Sequence, residues 1–191
     1  LKSEKSLEGN AFVGFKNKET MVKLTSSYFH ISDYIIAKPN LDLVPMTIGA
    51  SGVKIYTAVS YATIWNVGLS VEYKFTPEII WNGQLLYTYG KDSEKVNLPF
   101  ISPLSYNTGL NYRKNKYSAE LTLQGNATQT QYSPSYGEDR TPDYAIINAG
   151  FGYNLKINAY SLGFKVGVEN IFDTYYTTYS DWNNLPRMGR N

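Results

Sequence analysis

The chain contains no cysteine and a single histidine, and it is sparsely charged: 18 basic and 16 acidic side chains in 191 residues leave a net charge of +2. Without cysteine there is no disulfide framework, no thiolate metal site and no thiol nucleophile. With His30 as the only imidazole, any Ser-His-Asp relay has to run through that one residue. The basic residues are scattered and form no stripe, which argues against a nucleic-acid partner. No run of 18 apolar residues exists, so no helix is long and greasy enough to cross a membrane. A period of 3.6 residues is sustained nowhere.

What is abundant is tyrosine, 18 residues beside 8 Phe and 3 Trp. Tyrosine suits a boundary where one end of the ring is apolar and the other wet. The dominant pattern is alternation with period two. Leu104, Tyr106, Thr108, Leu110 and Tyr112 fall on one face of an extended segment, and Ser105, Asn107, Gly109, Asn111 and Arg113 on the other. After a turn at Lys114–Lys116 the pattern resumes, with Tyr117, Ala119, Leu121, Leu123 and Ala127 against Ser118, Glu120, Thr122, Gln124, Asn126 and Thr128. Such segments have one apolar and one polar face.

Eight strands are expected: 7–16, 20–37, 53–75, 79–90, one from Leu104, one from Tyr117, 144–154 and 159–170. The phase is unclear at Ser26–His30, where a bulge is expected. Residues 38–52, with Pro39 and Pro45, read as a loop. Short and long connections alternate along the whole chain. That is the signature of an all-β, antiparallel up-and-down barrel crossing an outer membrane, with short turns on the periplasmic side and long loops outside. Trp81 and Tyr89 lie eight residues apart, roughly 26 Å along a strand and about 20 Å once it tilts. The two rings then reach opposite interfaces. A tyrosine-rich soluble sandwich or lectin is the alternative.

No catalytic constellation emerges. An outer-membrane phospholipase arrangement would need His30 with Ser32 or Ser26 on the lipid face, and an interfacial histidine is the simpler reading. Met21, Met46 and Met188 do not cluster, so no copper(I) thioether site is visible. Glu138, Asp139 and Arg140 lie in an expected outer loop and are candidates for holding a cation, a ligand or lipopolysaccharide. Tyr175, Tyr176, Asp181 and Trp182 form an aromatic loop suited to an apolar or aromatic chelate. Asn126 heads a glycosylation sequon but sits inside a strand, which discounts it. The chain opens Leu-Lys-Ser-Glu-Lys without Met or signal peptide, and reads as a piece of a longer polypeptide.

The end of the chain reads Val-Glu-Asn-Ile-Phe-Asp-Thr-Tyr-Tyr (168–176), then Leu-Pro-Arg-Met-Gly-Arg-Asn (185–191). This resembles the C-terminal region of TonB-dependent outer-membrane receptors, on Asn170, Phe172, Asp173, Tyr175, Tyr176, Pro186, Gly189 and Arg190. The opening resembles the Leu-x-Pro-Glu-Lys-Ser phrase of the same family, with Ser3 in place of Pro. The resemblance covers residues 1–191, strongly at the end and loosely elsewhere. It implies that these are about eight strands of a 22-stranded barrel, whose last strand and N-terminal plug lie outside the chain.

The function implied is TonB-dependent uptake of a scarce solute across the bacterial outer membrane, whether an iron-siderophore, haem, copper or another metal complex. The partners implied are TonB with ExbB and ExbD acting through the plug, lipopolysaccharide and outer-membrane lipid, and other envelope proteins. No catalytic residue, metal site or cofactor is implied, so the protein is not expected to be an enzyme. In the family, barrel carboxylates pair with plug arginines. Glu8 fits the first such position, but Ser70 stands at the second, with Glu72 one inward step further. Glu120 and Glu169 also face the expected lumen. A passive porin, or a barrel recruited into a secretion or lipoprotein assembly, are the alternatives.

Overall fold

The computed structural model describes residues 1–48, 52–181 and 185–191. Its strands are β1 (Lys5–Lys16), β2 (Thr20–Asn40), β3 (Val53–Lys74), β4 (Ile79–Asp92), β5 (Ser105–Lys114), β6 (Tyr117–Asn126), β7 (Tyr144–Ile157) and β8 (Tyr160–Val168). They form one antiparallel sheet in chain order, β1 to β8. Each strand pairs with the next in sequence, as an up-and-down barrel wall requires. A 3-10 turn at Pro134–Tyr136 is the only helical element among the described residues.

The short connections are built by local polar chemistry. Asn17 Oδ1 accepts from the backbone N–H of Glu19 (2.9 Å) and Thr20 (2.6 Å). The two-residue turns after β5 and β7 begin with Asn115 (φ 53°) and Asn158 (φ 54°), a left-handed conformation that asparagine tolerates better than most residues.

The register carries one phase across all eight strands. Leu24 pairs with Val13 and Leu69, Leu69 with Leu85, and Leu85 with Tyr106. Further along, Leu110 pairs with Leu121, Leu121 with Ala149, and Ala149 with Val168. Short of the Asp33 level, one face of the sheet is therefore predominantly apolar and the other polar, because a one-residue slip would exchange the faces. The apolar face is bare: Leu24, Trp65, Leu85, Leu110, Leu121, Phe164 and Val166 are all exposed. An apolar surface of this size is not compatible with contact with water alone.

Aromatic residues band this face at two levels. Tyr28, Trp65 and Tyr89 are paired in one row, Tyr73 and Trp81 in another. Trp65 and Tyr73 are eight residues apart on β3, about 20 Å for a tilted strand. Trp81 Nε1 donates to Thr108 Oγ1 (2.7 Å), whose hydroxyl donates to the Asn82 carbonyl (3.1 Å). Polar groups on the apolar face are thus satisfied within the sheet, as a medium without water demands.

Three expectations are corrected. The ladder runs unbroken through Ser26–His30, so no bulge lies there. The irregularity is at Asp33, which has φ 54° and interrupts the pairing between Ser32↔Tyr61 and Tyr34↔Val59. Beyond it both strands change face. By period two, Tyr34, Ile36 and Val59 belong with Tyr28 and Trp65. Instead they pack with Ala62, Leu98, Ile101 and Tyr136 in the buried cluster.

Second, Pro39 is in a strand, paired with Lys54. Among the described residues the β1 ladder ends at Lys5↔Ser32, so Pro39, lacking an N–H, breaks no ladder bond on that side. Third, β6 stops at Asn126 and β5 starts at Ser105, leaving Ala127, Thr128 and Leu104 in the connections.

Candidate functional site

Three regions gather polar chemistry, and all lie on the polar face or at the long-loop end. The first is the polar wall. An open cavity of about 640 Å³ is lined by Glu72, Glu78, Arg113, Glu120 and Lys165. Lys165 Nζ is 2.7 Å from Glu120 Oε1, and Lys74 Nζ is 3.8 Å from Glu72 Oε1. These pairs are partly solvated and contribute little to stability, but they fix a mixed-charge surface. Gly150, where a Cβ would meet Glu120 Oε1 at 2.8 Å, gives that carboxylate room to lie flat. Glu169 lines an adjoining depression with Glu120, Lys165 and Asn191. Glu8 stands apart on β1, paired with Phe29 and accepting from Asn10 Nδ2 (2.7 Å). Glu72, Glu120 and Glu169 are thus brought together along one wall, and Glu8 is not among them.

The second region is a cap built by the long connections. Asp92 ends β4 almost fully buried. Its Oδ1 accepts from the N–H of Glu94 and Val96, both 2.9 Å, and its Oδ2 from the Tyr136 hydroxyl at 2.5 Å. Burial, then the hydrogen bond to this carboxylate, push the Tyr136 phenol well above its ordinary range. Lys54 Nζ donates to the Tyr136 carbonyl (2.7 Å), and Lys38 lies over the Tyr136 ring. Desolvation lowers the Lys54 pKa, and the Glu138 charge opposes that shift.

Glu138 is also buried. Its Oε1 accepts from Phe100 N–H and Gln129 Nε2 (both 2.9 Å), and its Oε2 from Ser133 N–H (2.7 Å). The carboxylate expected to face a ligand is turned inward, where it fastens residues 92–103 to residues 127–143. Asp139 and Arg140 remain exposed beside it. Sequence reasoning missed Asp92, Tyr136 and Gln129. Only the turn signal of Asp92-Ser93 hinted at the first.

The third region is the end of the chain. Asn170 is 2% exposed with φ 49°. Its N–H donates to Asn148 Oδ1 (2.8 Å), its Nδ2 to the Thr174 carbonyl (2.9 Å), and its Oδ1 accepts from Thr174 N–H (2.8 Å). Asp173 Oδ1 accepts from Arg190 N–H (2.8 Å), and Arg190 Nε donates to the Ile171 carbonyl (2.8 Å). Gly189 lies against Asp173 so closely that a Cβ there would collide with its carboxylate. Asn191 and Glu169 exchange backbone hydrogen bonds (2.8 and 3.2 Å), the pattern of an antiparallel pair. Asn170, Asp173, Gly189 and Arg190 therefore form one clasp. Phe172 is exposed at its side, as is Pro186.

In the aromatic loop, Tyr176 stacks on Tyr144 at 4.5 Å between centroids, and Tyr175 is exposed. Trp182 lies outside the described residues. Asp181 pairs with Arg187 through both oxygens and accepts from the Thr178 N–H (2.7 Å) and hydroxyl (2.8 Å). Desolvation raises its pKa, but the bonds from Thr178 and Arg187 outweigh this and hold it below the usual carboxylate range.

Because that folded value lies below the unfolded value of 3.8, the Asp181 network with Thr178 and Arg187 contributes fully above that pH and fades as pH falls through the depressed folded value. Amide exchange at Thr178, corrected for intrinsic rate, is expected to stay slow from neutral pH down to about 4 and to accelerate below it. In Asp181→Asn it is expected to be fast throughout. Wild-type protection already lost at pH 6 would contradict this.

The family profile described as TonB dependent receptor-like, beta-barrel matches residues 1–171. Among solved structures, the copper transporter OprC superimposes with a TM-score of 0.84 at 21% identity, over 98% of this chain and 31% of its own. The siderophore receptor PirA from Acinetobacter baumannii gives 0.73 at 16% identity, over 98% of this chain and 30% of its own. The FrpB iron transporter from Neisseria meningitidis gives 0.72 at 13%, over 99% and 30%. No curated protein matches by sequence. The chain thus spans about 30% of the length of the structures it resembles. The chain belongs to the TonB-dependent receptor β-barrel family.

Proposed function

We propose that this sheet is part of the barrel of a receptor that takes a scarce metal complex across the bacterial outer membrane, driven by TonB. The observation that carries the reading is the family match over residues 1–171, on a wall with one apolar and one polar face. The structural neighbours are named as copper, iron and siderophore transporters or receptors, which supports a metal complex as the solute. A protein of this kind binds and passes its cargo without chemical change, so no residue is assigned a catalytic role.

The long-loop end faces the cell exterior. Exposed Asp139, Arg140 and Tyr175, with Tyr176, Asp181 and Trp182, are the residues we assign to ligand capture. The fastened cap of residues 92–103 and 127–143 carries Asp139 and Arg140. Glu72, Glu120 and Glu169 face the space a plug occupies, where Lys165 and Arg113 leave a surface able to meet either charge. Glu8 faces the same space from β1. TonB, energised by ExbB and ExbD, acts through that plug. Release follows if the plug's two states bind the solute with different affinity.

Uptake of radiolabelled iron and copper, supplied free and as chelates, tests this in cells with and without the gene. Uptake of one chelate is expected to fall at least tenfold on deletion of the gene, and equally on deletion of TonB. Uptake that survives loss of TonB would indicate a passive porin.

A further inference from the structure

The ionisable side chains of the outward face are unevenly placed. On the described strand residues up to the change of face at Asp33, that face carries no carboxylate. Besides tyrosine it has four ionisable groups: Lys5, His30 and Lys91 at the long-loop end, and Lys114 at the other. The three at the long-loop end lie in adjacent rows. His30 and Lys91 share one row, through Thr63, and Lys5 pairs with Ser32 in the row above. With neighbouring strands about 4.8 Å apart, the three cations span roughly 15 Å.

Directly below them lies the aromatic row Tyr28, Trp65 and Tyr89, then the row Ser26, Val67 and Tyr87, and below that the apolar row Leu24, Leu69 and Leu85. The His30 ring stacks on Tyr61 at 5.1 Å, and Lys91 Nζ stands 5.6 Å from the Tyr89 centroid. Two neighbouring acids are turned away: Asp92 is buried with Tyr136, and the Glu4 carboxylate accepts from Ile35 N–H (2.6 Å).

We propose that Lys5, His30 and Lys91 form a site for the phosphate groups of a phosphorylated glycolipid of the outer leaflet. Its acyl chains run down the wall over Trp65, Leu69 and Leu85. The order of cations, aromatics and aliphatics matches the order of headgroup phosphate, interface and hydrocarbon in one lipid molecule. A spare anion in water would have no use for the apolar track beneath. The site rests on the outer-membrane placement proposed above, and it is independent of which solute is carried.

The test is lipid retention by the full-length receptor, extracted from outer membranes in mild detergent and read by native mass spectrometry with added lipid A. At about 1 kcal/mol per lysine near an anionic surface, the double variant K5Q/K91Q is expected to bind bisphosphorylated lipid A about thirtyfold more weakly. K5R/K91R is expected to bind as wild type does, which separates lost charge from lost fold. K114Q, at the opposite end, is expected to change nothing. Monophosphorylated lipid A should bind more weakly, and zwitterionic phosphatidylethanolamine should show no preference for wild type. Equal retention by wild type and K5Q/K91Q, or equal retention of both lipid classes by wild type, would overturn the site. A receptor absent from the outer-membrane fraction would instead overturn the placement on which the site rests.

Discussion

Glu138→Ala is expected to release the loop cap while leaving the barrel wall intact. The carboxylate takes three hydrogen bonds from Phe100, Gln129 and Ser133 in a buried setting. Hydrogen bonds to a charged group contribute about 1.5–3 kcal/mol each, and the donors left behind keep their desolvation cost. Even with incomplete additivity, the local loss is on the order of 3 kcal/mol or more. Amide exchange at Phe100 and Ser133 should then accelerate roughly a hundredfold, since a local opening exchanges according to its own free energy. The β5–β6 ladder should be unaffected, because its bonds do not pass through Glu138. If the loops are the capture surface, affinity for the solute should fall in step. Glu138→Gln should be milder, retaining an acceptor for Phe100 or Ser133. Unchanged exchange at both amides in Glu138→Ala would contradict the fastening role.

The second large effect is expected at Gly125. A Cβ there would collide with the Tyr144 carbonyl oxygen and come within 2.6 Å of Tyr106 Oη. Tyr106 pairs with Gly125 across β5–β6, and its hydroxyl donates over the glycine to the Tyr144 carbonyl (3.1 Å). A tyrosine lying over a glycine is a means of pinning register in a sheet. Valine at this position would push against backbone on one side and ring on the other, opening the β6–β7 ladder. Overpacking alone costs about 1–3 kcal/mol, and an opened ladder in lipid adds unpaired backbone groups. The folded, heat-modifiable fraction in outer membranes should fall severalfold in Gly125→Val. Gly109→Ala is the control, since its nearest neighbours are side-chain atoms at 3.1 and 3.3 Å that can give way. Wild-type amounts of folded Gly125→Val would contradict the account.

Most of the wall was legible in the sequence because period two and turn chemistry are local signals. The eight strands, their order, the alternation of short and long connections and the outward series from Tyr106 to Tyr112 all follow from them. What escaped detection was non-local. The change of face at Asp33 shows in sequence only as lost periodicity, and that loss begins several residues early, at Ser26–His30. Pro39 reads as a loop residue until the end of the β1 ladder at Ser32 is known. The C-terminal clasp was anticipated as a pattern through its resemblance, but its logic, with Asn170 and Asp173 holding Thr174 and Arg190, needs coordinates. Glu138 shows the limit most clearly. A charged residue in a long loop reads as solvent-facing, and only the fold of residues 92–103 against it reveals a buried fastener.

The claim underneath all of this is that the bare apolar face meets lipid as part of a much larger closed barrel. The most direct test is the mass of the intact polypeptide that carries these residues, extracted from outer membranes in detergent. The chain spans 31% of OprC, so a mass about three times 21.6 kDa is predicted, in a form whose gel mobility shifts on heating. A polypeptide near 21.6 kDa, or one recovered from the soluble fraction, would contradict the account.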